Sequence, residues 1–563
     1  MAVSSVGCTL ERLSPSSSYH GCLSGFGNNL AHANAVPIKL SSWGSRHEQC
    51  KRRTELRLLK ELLKQCTYSR SPFFPTARRG HIMAVATETS KTVEQQPVPS
   101  PPKLSAQTPD CQFSPLPPIK EAKRVVLVRH GESTWNQAGR IQGSSDFAVL
   151  TEKGIIQAET SRQMLADANF DALFHSPLAR SKRTAEIIWD KRTGPVYPVD
   201  DLREIDLYAF QGLYKEEGKE RFGEQYKMWQ KDAANFEIDG HYPVRELWAR
   251  ARSCWDLILK DKSRSALVVA HNAVNQALVA TATGLDPIYF RLLLQSNCGV
   301  SVLDFTPNAD PDGPPKVSLE RLNQTPGPPI AASAGTSAGR KAKCRLVLVR
   351  HGATDSTLQG KKPATQEEPM NMLGVVQSRK TAELLLDVTI DTIVTSPTGR
   401  AVAAAEEIRV LQENAYCLKD YCEPRFVDTI EVPELQDLNL QIPEGESAES
   451  LSQDGNGKLN EAWEQAGRAW KKVLEVLENS GEEGDKLVLV VGHESTHVAM
   501  ISHCLGLTPD YLDRFHLQTG SVSVIDFPDG PSGRGVVRCL NYTAHLGRWA
   551  IPVTRPDFKD EEY

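Results

Sequence analysis

Long apolar runs are missing from this chain. Nothing in its 563 residues approaches the roughly 18 consecutive apolar positions that a membrane-spanning helix needs. The run "LVLVV" at 487–491 is soon broken by His493 and Glu494. No membrane span is expected. Clustered cysteines are missing too. Twelve are too sparse for a disulfide framework, and none of the eight beyond residue 80 has a CxxC partner, which removes the usual zinc signal. Cys417 and Cys422, in "CLKDYC", leave open a redox-sensitive pair beside the plainer reading of two buried, reduced thiols.

Acidic residues are scarce at the start. The first 80 residues hold 12 Lys and Arg, 12 Ser, 4 Glu and no Asp, and the first Asp of the chain is Asp110. A Ser- and Arg-rich, acid-poor leader reads as an organelle transit peptide, and its hydroxyl content favours a plastid. The expectation is a transit peptide over 1–82 and residence in the chloroplast stroma, with a disordered tail as the alternative. A short amphipathic helix is expected at 55–66, "ELRLLKELLKQC". Setting aside the leader's +8 turns the chain's net charge of −5 into −13. So acidic a body argues against nucleic-acid binding. Basic residues near a site should instead serve a local anionic ligand.

Pro and Ser dominate 83–121, which reads as a linker. A second Pro- and Gly-rich stretch follows the first folded segment, interrupted by one short strand, "KVSLERL" at 316–322. Between and after these lie two segments that repeat each other. "VVLVRHG" matches "LVLVRHG", "FHSPLAR" matches "VTSPTGR", and "LVVAHNA" matches "LVVGHES". His130 precedes His351 by 221 residues and His271 precedes His493 by 222. A near-constant offset over many blocks means duplication. The expected organisation is a first domain over 122–325, a linker at 326–343, a second domain over 344–551 and an acidic tail at 552–563.

Within each repeat, short β-rich apolar runs alternate with helical patterns. That pattern predicts two tandem α/β domains, each a three-layer αβα arrangement around a mostly parallel sheet. Ligands of such folds bind beyond the carboxyl ends of strands, where both "VRHG" and the later histidine fall.

A lone Arg-His-Gly is a weak signal. The linked set is stronger: Arg129 and His130 after the first strand, Arg180 in "SPLAR", Glu204 seven residues before Gln211-Gly212, and His271 after a later strand. On these residues the chain resembles the histidine phosphatase superfamily, whose members include phosphoglycerate mutases, over about 400 residues. The resemblance implies that His130 is the nucleophile and that Arg129, Arg180 and His271 clamp the phosphoryl oxygens. It implies a further phosphate donor at Asn136, a proton donor and acceptor at Glu204, and no metal or cofactor. Glu132, in the same loop, would stand behind the site.

Residue chemistry agrees with those roles. An imidazole with one unprotonated nitrogen is nucleophilic near neutral pH, and guanidinium forks match the charge of a transferring phosphoryl group. Similarity to plastid members of the family implies a small sugar-acid phosphate substrate, of the kind that inhibits Rubisco, and so an indirect link to that enzyme. Arg140, Arg203, Lys215 and Arg221 are candidate cations for the substrate's acid group. Tyr208 stands where mutases carry Gly, which favours hydrolysis over mutase action. A mutase, or a module that binds phosphorylated ligands without turning them over, are the alternatives.

The second repeat keeps Arg350, His351, Arg400 and His493, but Thr357 replaces Asn136 and Ala353 replaces Glu132. Asp437 falls opposite Glu204, one methylene shorter, with Glu434 and Glu444 as possible substitutes. Impairment of the second repeat is expected.

Overall fold

The computed structural model describes residues 115–325, 327–330, 341–361, 363, 365, 367–416, 426–438, 440, 457–481 and 486–547. The expected leader and its helix at 55–66, most of the first linker, Cys417, Cys422, Glu444 and the acidic tail lie outside these residues. Among the described residues, no helix is long and apolar enough to cross a membrane.

The first repeat contributes strands β1 (Lys123–Arg129), β2 (Ala172–His175), β3 (Val196–Pro198), β4 (Ser265–Ala270), β5 (Val300–Thr306) and β6 (Lys316–Gln324). The second contributes β7 (Cys344–Arg350), β8 (Thr392–Thr395), β9 (Asp428–Glu431), β10 (Lys486–Gly492), β11 (Val522–Phe527) and β12 (Val536–Tyr542). They form one 12-stranded sheet in the order β3-β2-β4-β1-β5-β6-β12-β11-β7-β10-β8-β9. Strands β1 to β4 pair in parallel, whereas β5 and β6 are antiparallel. The mixed α/β class is as the sequence predicts.

The "VVLV" of β1 is apolar throughout because both its faces are covered. Alternate residues point to opposite sides. Val125 and Leu127 pack with Leu247, Trp248 and Ala277, from helices Pro243–Lys260 and Asn272–Ala282. Val126 and Val128 pack with Met164, Ala185 and Ile188, from helices Glu152–Met164 and Ala179–Trp189. The first of these cores runs on into the second repeat through Leu319, Leu322, Leu540 and Leu346. Segments expected to be linkers add to the cores. Leu116 and Ile119 join the first and Ile330 joins a core of the second repeat, so apolar residues scattered among prolines still find a face to cover.

The strand order reads the same from either end once equivalent strands are matched, so the repeats are related by a pseudo-twofold axis. The axis runs between β6 and β12, where Leu322 pairs with its own equivalent, Leu540. Flanking them, Asn323 and Asn541 adopt left-handed backbone, at φ 55° and 57°. Asn323 Nδ2 donates to Arg538 O and Asn541 Nδ2 donates to Glu320 O, each at 2.7 Å. Each Oδ1 accepts a backbone N–H of its own repeat, Ser296 at 2.7 Å and Gln518 at 2.8 Å. The strand read as an interruption in a linker is therefore half of the junction. Such reciprocal pairing is the geometry of an isologous dimer, here within one chain.

Asn541→Ala should lower the unfolding free energy by about 2–3 kcal/mol, since it removes the bonds to the buried Glu320 O and the half-buried Gln518 N–H and puts a Cβ residue without a local hydrogen bond in the left-handed region. Asn541→Gly should cost about 1 kcal/mol less than Asn541→Ala. Urea titration checks both values, and equal losses would remove the backbone part of this explanation.

Candidate active site

Two histidines 141 positions apart meet because of strand register. β1 and β4 run parallel with Arg129 opposite Ala270, so the next residue of each strand, His130 and His271, leaves the sheet at the same edge. Their ring centroids are 5.1 Å apart. The His130 N–H donates to Ala270 O at 3.0 Å. Gly131 is required by a close approach: a Cβ there would lie 2.3 Å from Gly154 O, and one on Gly154 would lie 2.0 Å from Glu132 O. Gly352 and Gly374 repeat this contact in the second repeat.

The His130 ring is held in one tautomer. Nδ1 lies 2.7 Å from Gly131 O and must carry the proton there, which leaves the Nε2 lone pair. Burial, then the positive charges of Arg129 and Arg180, holds this imidazole well below the ordinary 6.5. From behind, Asn297 Nδ2 donates to His130 O at 3.0 Å and the Cys298 N–H donates to Arg129 O at 3.1 Å.

Both guanidiniums are buried. Arg129 Nη1 donates to Gln295 O at 2.9 Å. Arg180 donates to Ser145 O at 2.7 Å and Gly143 O at 3.0 Å, while its buried Nε has no hydrogen-bond partner among the described residues. Burial pushes each down to about 10, opposed by the charge of Glu204. His271 Nε2 lies 2.8 Å from Ser176 Oγ, and its Nδ1 is buried without a partner. Donors without a partner among the described residues, set around a neutral imidazole, are what a bound anion would satisfy.

Glu204 sits at the N-terminus of helix Asn272–Ala282. Its Oε1 accepts from the N–H groups of Ala273 and Val274, and of Ile205, while Oε2 accepts only from Ala273 at 3.1 Å. The loop that carries it is pinned by Arg250, which donates to the carbonyls of Asp201, Arg203 and Glu204. Tyr208 occupies a left-handed conformation, φ 44°, consistent with a position where mutases carry Gly. Its hydroxyl donates to Glu246 at 2.9 Å and its ring stacks on His241, which hold it there.

Arg129, His130, Asn136, Arg180 and Glu204 line one cavity of about 230 Å³, with His271 beneath it. Of the four candidate cations, Arg140 and Lys215 line this cavity; Arg203 and Arg221 do not. Arg291 lines it as well and was not foreseen. Glu132 points away, pairing with Lys153 at 2.8 Å.

The second repeat brings the same groups together but closes them on one another. Rings His351 and His493 are 5.0 Å apart and His351 Nδ1 again meets a glycine carbonyl, at 2.7 Å. Its Nε2, however, accepts from Arg400 Nε at 3.1 Å, so the lone pair is occupied. Arg350 pairs with Glu494 at 2.8 Å, where the first repeat has Asn272. Burial would raise that carboxyl, but Arg350 and His516 hold it far below the usual range, so it is ionised. Asp437 lies 3.8 Å from Arg400, whereas Glu434 turns away to Lys472 at 2.6 Å. Thr357, in place of Asn136, bonds back to Thr354. Glu494, Arg250, Asn297 and Arg291 were missed from sequence. Only Glu494 left a readable trace, in "HNAVNQ" against "HESTHV".

Because the folded pKa of His130 lies below the unfolded 6.5, its neutral form persists as the pH falls past 6.5, and its contribution to stability is lost on further acidification. The imidazole C2 proton resonance that disappears in His130→Gln should not titrate between pH 7.5 and 6.0. A midpoint near 6.5 would contradict the burial argument.

The family model of the Histidine phosphatase superfamily (branch 1) matches residues 125–310 and 346–541, once per repeat. The chain is 55% identical over 457 residues to 2-carboxy-D-arabinitol-1-phosphatase of Triticum aestivum, covering 80% of this chain and 92% of that one. It is 54% identical to the "Probable 2-carboxy-D-arabinitol-1-phosphatase" of Arabidopsis thaliana, covering 78% and 91%. A "Probable phosphoglycerate mutase GpmB" of Erwinia tasmaniensis is 36% identical, covering 32% of this chain and 84% of its own. With the family model matched once in each repeat, this chain belongs to the histidine phosphatase superfamily.

Proposed function

We propose that the first repeat is a metal-independent phosphatase that hydrolyses a small sugar-acid phosphate, 2-carboxy-D-arabinitol 1-phosphate above all. The observation that carries this reading is the neutral His130 with an unoccupied Nε2 beside two buried guanidiniums. In the first step Nε2 attacks phosphorus and the ester P–O bond breaks. Glu204, whose charge opposes the guanidiniums before substrate enters, takes a proton from solvent onto its less engaged Oε2 as the phosphoryl dianion binds and gives it to the departing alkoxide. Arg129, Arg180, His271 and Asn136 match the charge on the three phosphoryl oxygens. A water then attacks the phosphohistidine, Glu204 takes its proton, and inorganic phosphate leaves with His130 restored.

The substrate assignment is supported by the two plant relatives and by Arg140, Lys215 and Arg291, three further cations on a cavity whose clamp already has two. One phosphoryl group needs no more than the clamp; a second acid group on the substrate accounts for the rest. Relatives from two plants, with the basic leader, support a plastid protein and a role in removing sugar phosphates that inhibit Rubisco. The second repeat serves as a structural partner.

The full chain should release phosphate from 2-carboxy-D-arabinitol 1-phosphate and should not interconvert 3- and 2-phosphoglycerate when primed with a bisphosphate. Robust mutase turnover would overturn the reading. His130→Ala should cost about a thousandfold or more in kcat. His351→Ala should cost no more than about threefold, because that lone pair is already bound. Equal losses would reject the division between the repeats.

A further inference from the structure

A second cavity, of about 940 Å³, lies between the repeats and opens against the first repeat's site. The two cavities share Lys215, Trp229, Asn272, Gln276, Phe290 and Arg291. Its far wall comes from the second repeat, from the turn between β11 and β12, including Pro528, Asp529, Gly533 and Arg534. The cavity that adjoins the first repeat's site is thus walled in part by the second repeat.

Two guanidiniums face this space from opposite repeats. Arg291 is held in left-handed backbone, φ 72°, by a bond from its N–H to Gln276 Oε1 at 2.7 Å. Its guanidinium packs 4.3 Å from the Trp229 ring and donates to Trp229 O at 2.8 Å. Strained backbone on a non-glycine residue persists where the surrounding structure over-determines it, commonly at binding sites. Arg534 has a long 3.5 Å bond from Nη1 to Ile288 O and feels the charge of Asp286, and among the described residues its buried Nη2 has no hydrogen-bond partner. A guanidinium donor sealed from water and left unmatched is costly unless a ligand completes it. Lys215, Lys227 and Lys231 add positive charge to the same lining. Against them stand Asp232, Asp529 and Asp526, the last already paired with Arg345 and Arg538. In the second repeat the position matching Arg291 is Asp513, so the arginine of this pair that comes from the first repeat has no counterpart there.

We propose that Arg534, contributed by the second repeat, together with Arg291 forms the position that holds the substrate's second acid group, carboxylate or phosphate, while the Arg129–Arg180 clamp holds the transferring phosphoryl group. This rests on the phosphatase reading of the first repeat. It makes the second repeat a specificity element: without its own turnover, it selects which phosphate esters the first repeat accepts. A guanidinium fork suits either acid, because both present paired oxygens.

The test compares three esters on the full chain: 2-carboxy-D-arabinitol 1-phosphate, a pentulose bisphosphate, and p-nitrophenyl phosphate, which has no second acid group. Arg534→Gln should lower kcat/KM for at least one acid-bearing ester about tenfold relative to p-nitrophenyl phosphate, through KM rather than kcat. The more affected ester shows whether carboxylate or phosphate is held. The exposed Asp529 lies on the same turn, and Asp529→Asn should move the same ratio the other way, by about twofold; this variant decides the matter if Arg534→Gln does not fold. An unchanged ratio in the folded variants, or an equal fall for all three esters, overturns the proposal. A native chain that releases phosphate from none of them would instead remove the phosphatase reading itself.

Discussion

Two guanidiniums buried beside a neutral imidazole set the terms for the whole structure. Removing such charges from water costs several kcal/mol each unless something repays it. Here the repayment is partial: Arg129 and Arg180 reach backbone carbonyls, and Glu204 opposes them electrostatically. Burial first, and then the remaining positive field, depresses His130 and keeps its lone pair available. It is also what an incoming phosphoryl dianion would neutralise. Preorganised charge of this kind does its work in the transition state because it needs no rearrangement as the charge develops.

A single carboxylate separates the two repeats on this point. Glu494 neutralises Arg350 and Arg400 turns onto His351, so the second constellation has already spent its field internally. Its retained fold has a different use. Asn323, at the junction, fixes Ser296, and the adjoining segment supplies Gln295 O to Arg129, Asn297 to His130 O and Cys298 to Arg129 O. The Leu294 N–H in turn donates to Val537 O of the second repeat at 3.0 Å. The strand β12 therefore braces the back of the loop that carries His130.

Much of this was legible in the sequence, and the reasons are physical. Fold class followed from apolar runs that must be buried on both sides, and the repeat followed from a constant offset. Arg129, His130, Arg180 and His271 could be named because each lies at a strand end or a helix start, whereas Asn136 and Glu204 were named from the family resemblance. Other features could not be read. The fusion of two sheets depends on β6 pairing with β12, a long-range register that "KVSLERL" does not encode by itself. Arg250 and Arg291 act through backbone carbonyls, cavity walls and a strained φ, none of which has a local motif. Arg203 and Arg221 looked equivalent to Arg140 and Lys215 because charge in sequence says nothing about direction. The carboxylate at 494 was visible, but its meaning needed the distance to Arg350.

In the proposed mechanism phosphoryl transfer passes through Nε2 of His130 and through no other histidine. The direct measurement is rapid acid-free quenching of the full chain during turnover of a phosphorus-labelled sugar-acid phosphate, followed by peptide mapping under alkaline conditions. The account predicts an acid-labile phosphoryl group on the peptide that contains His130 and none on the peptide that contains His351. Label on the His351 peptide, or turnover with no phosphohistidine on either, would contradict it.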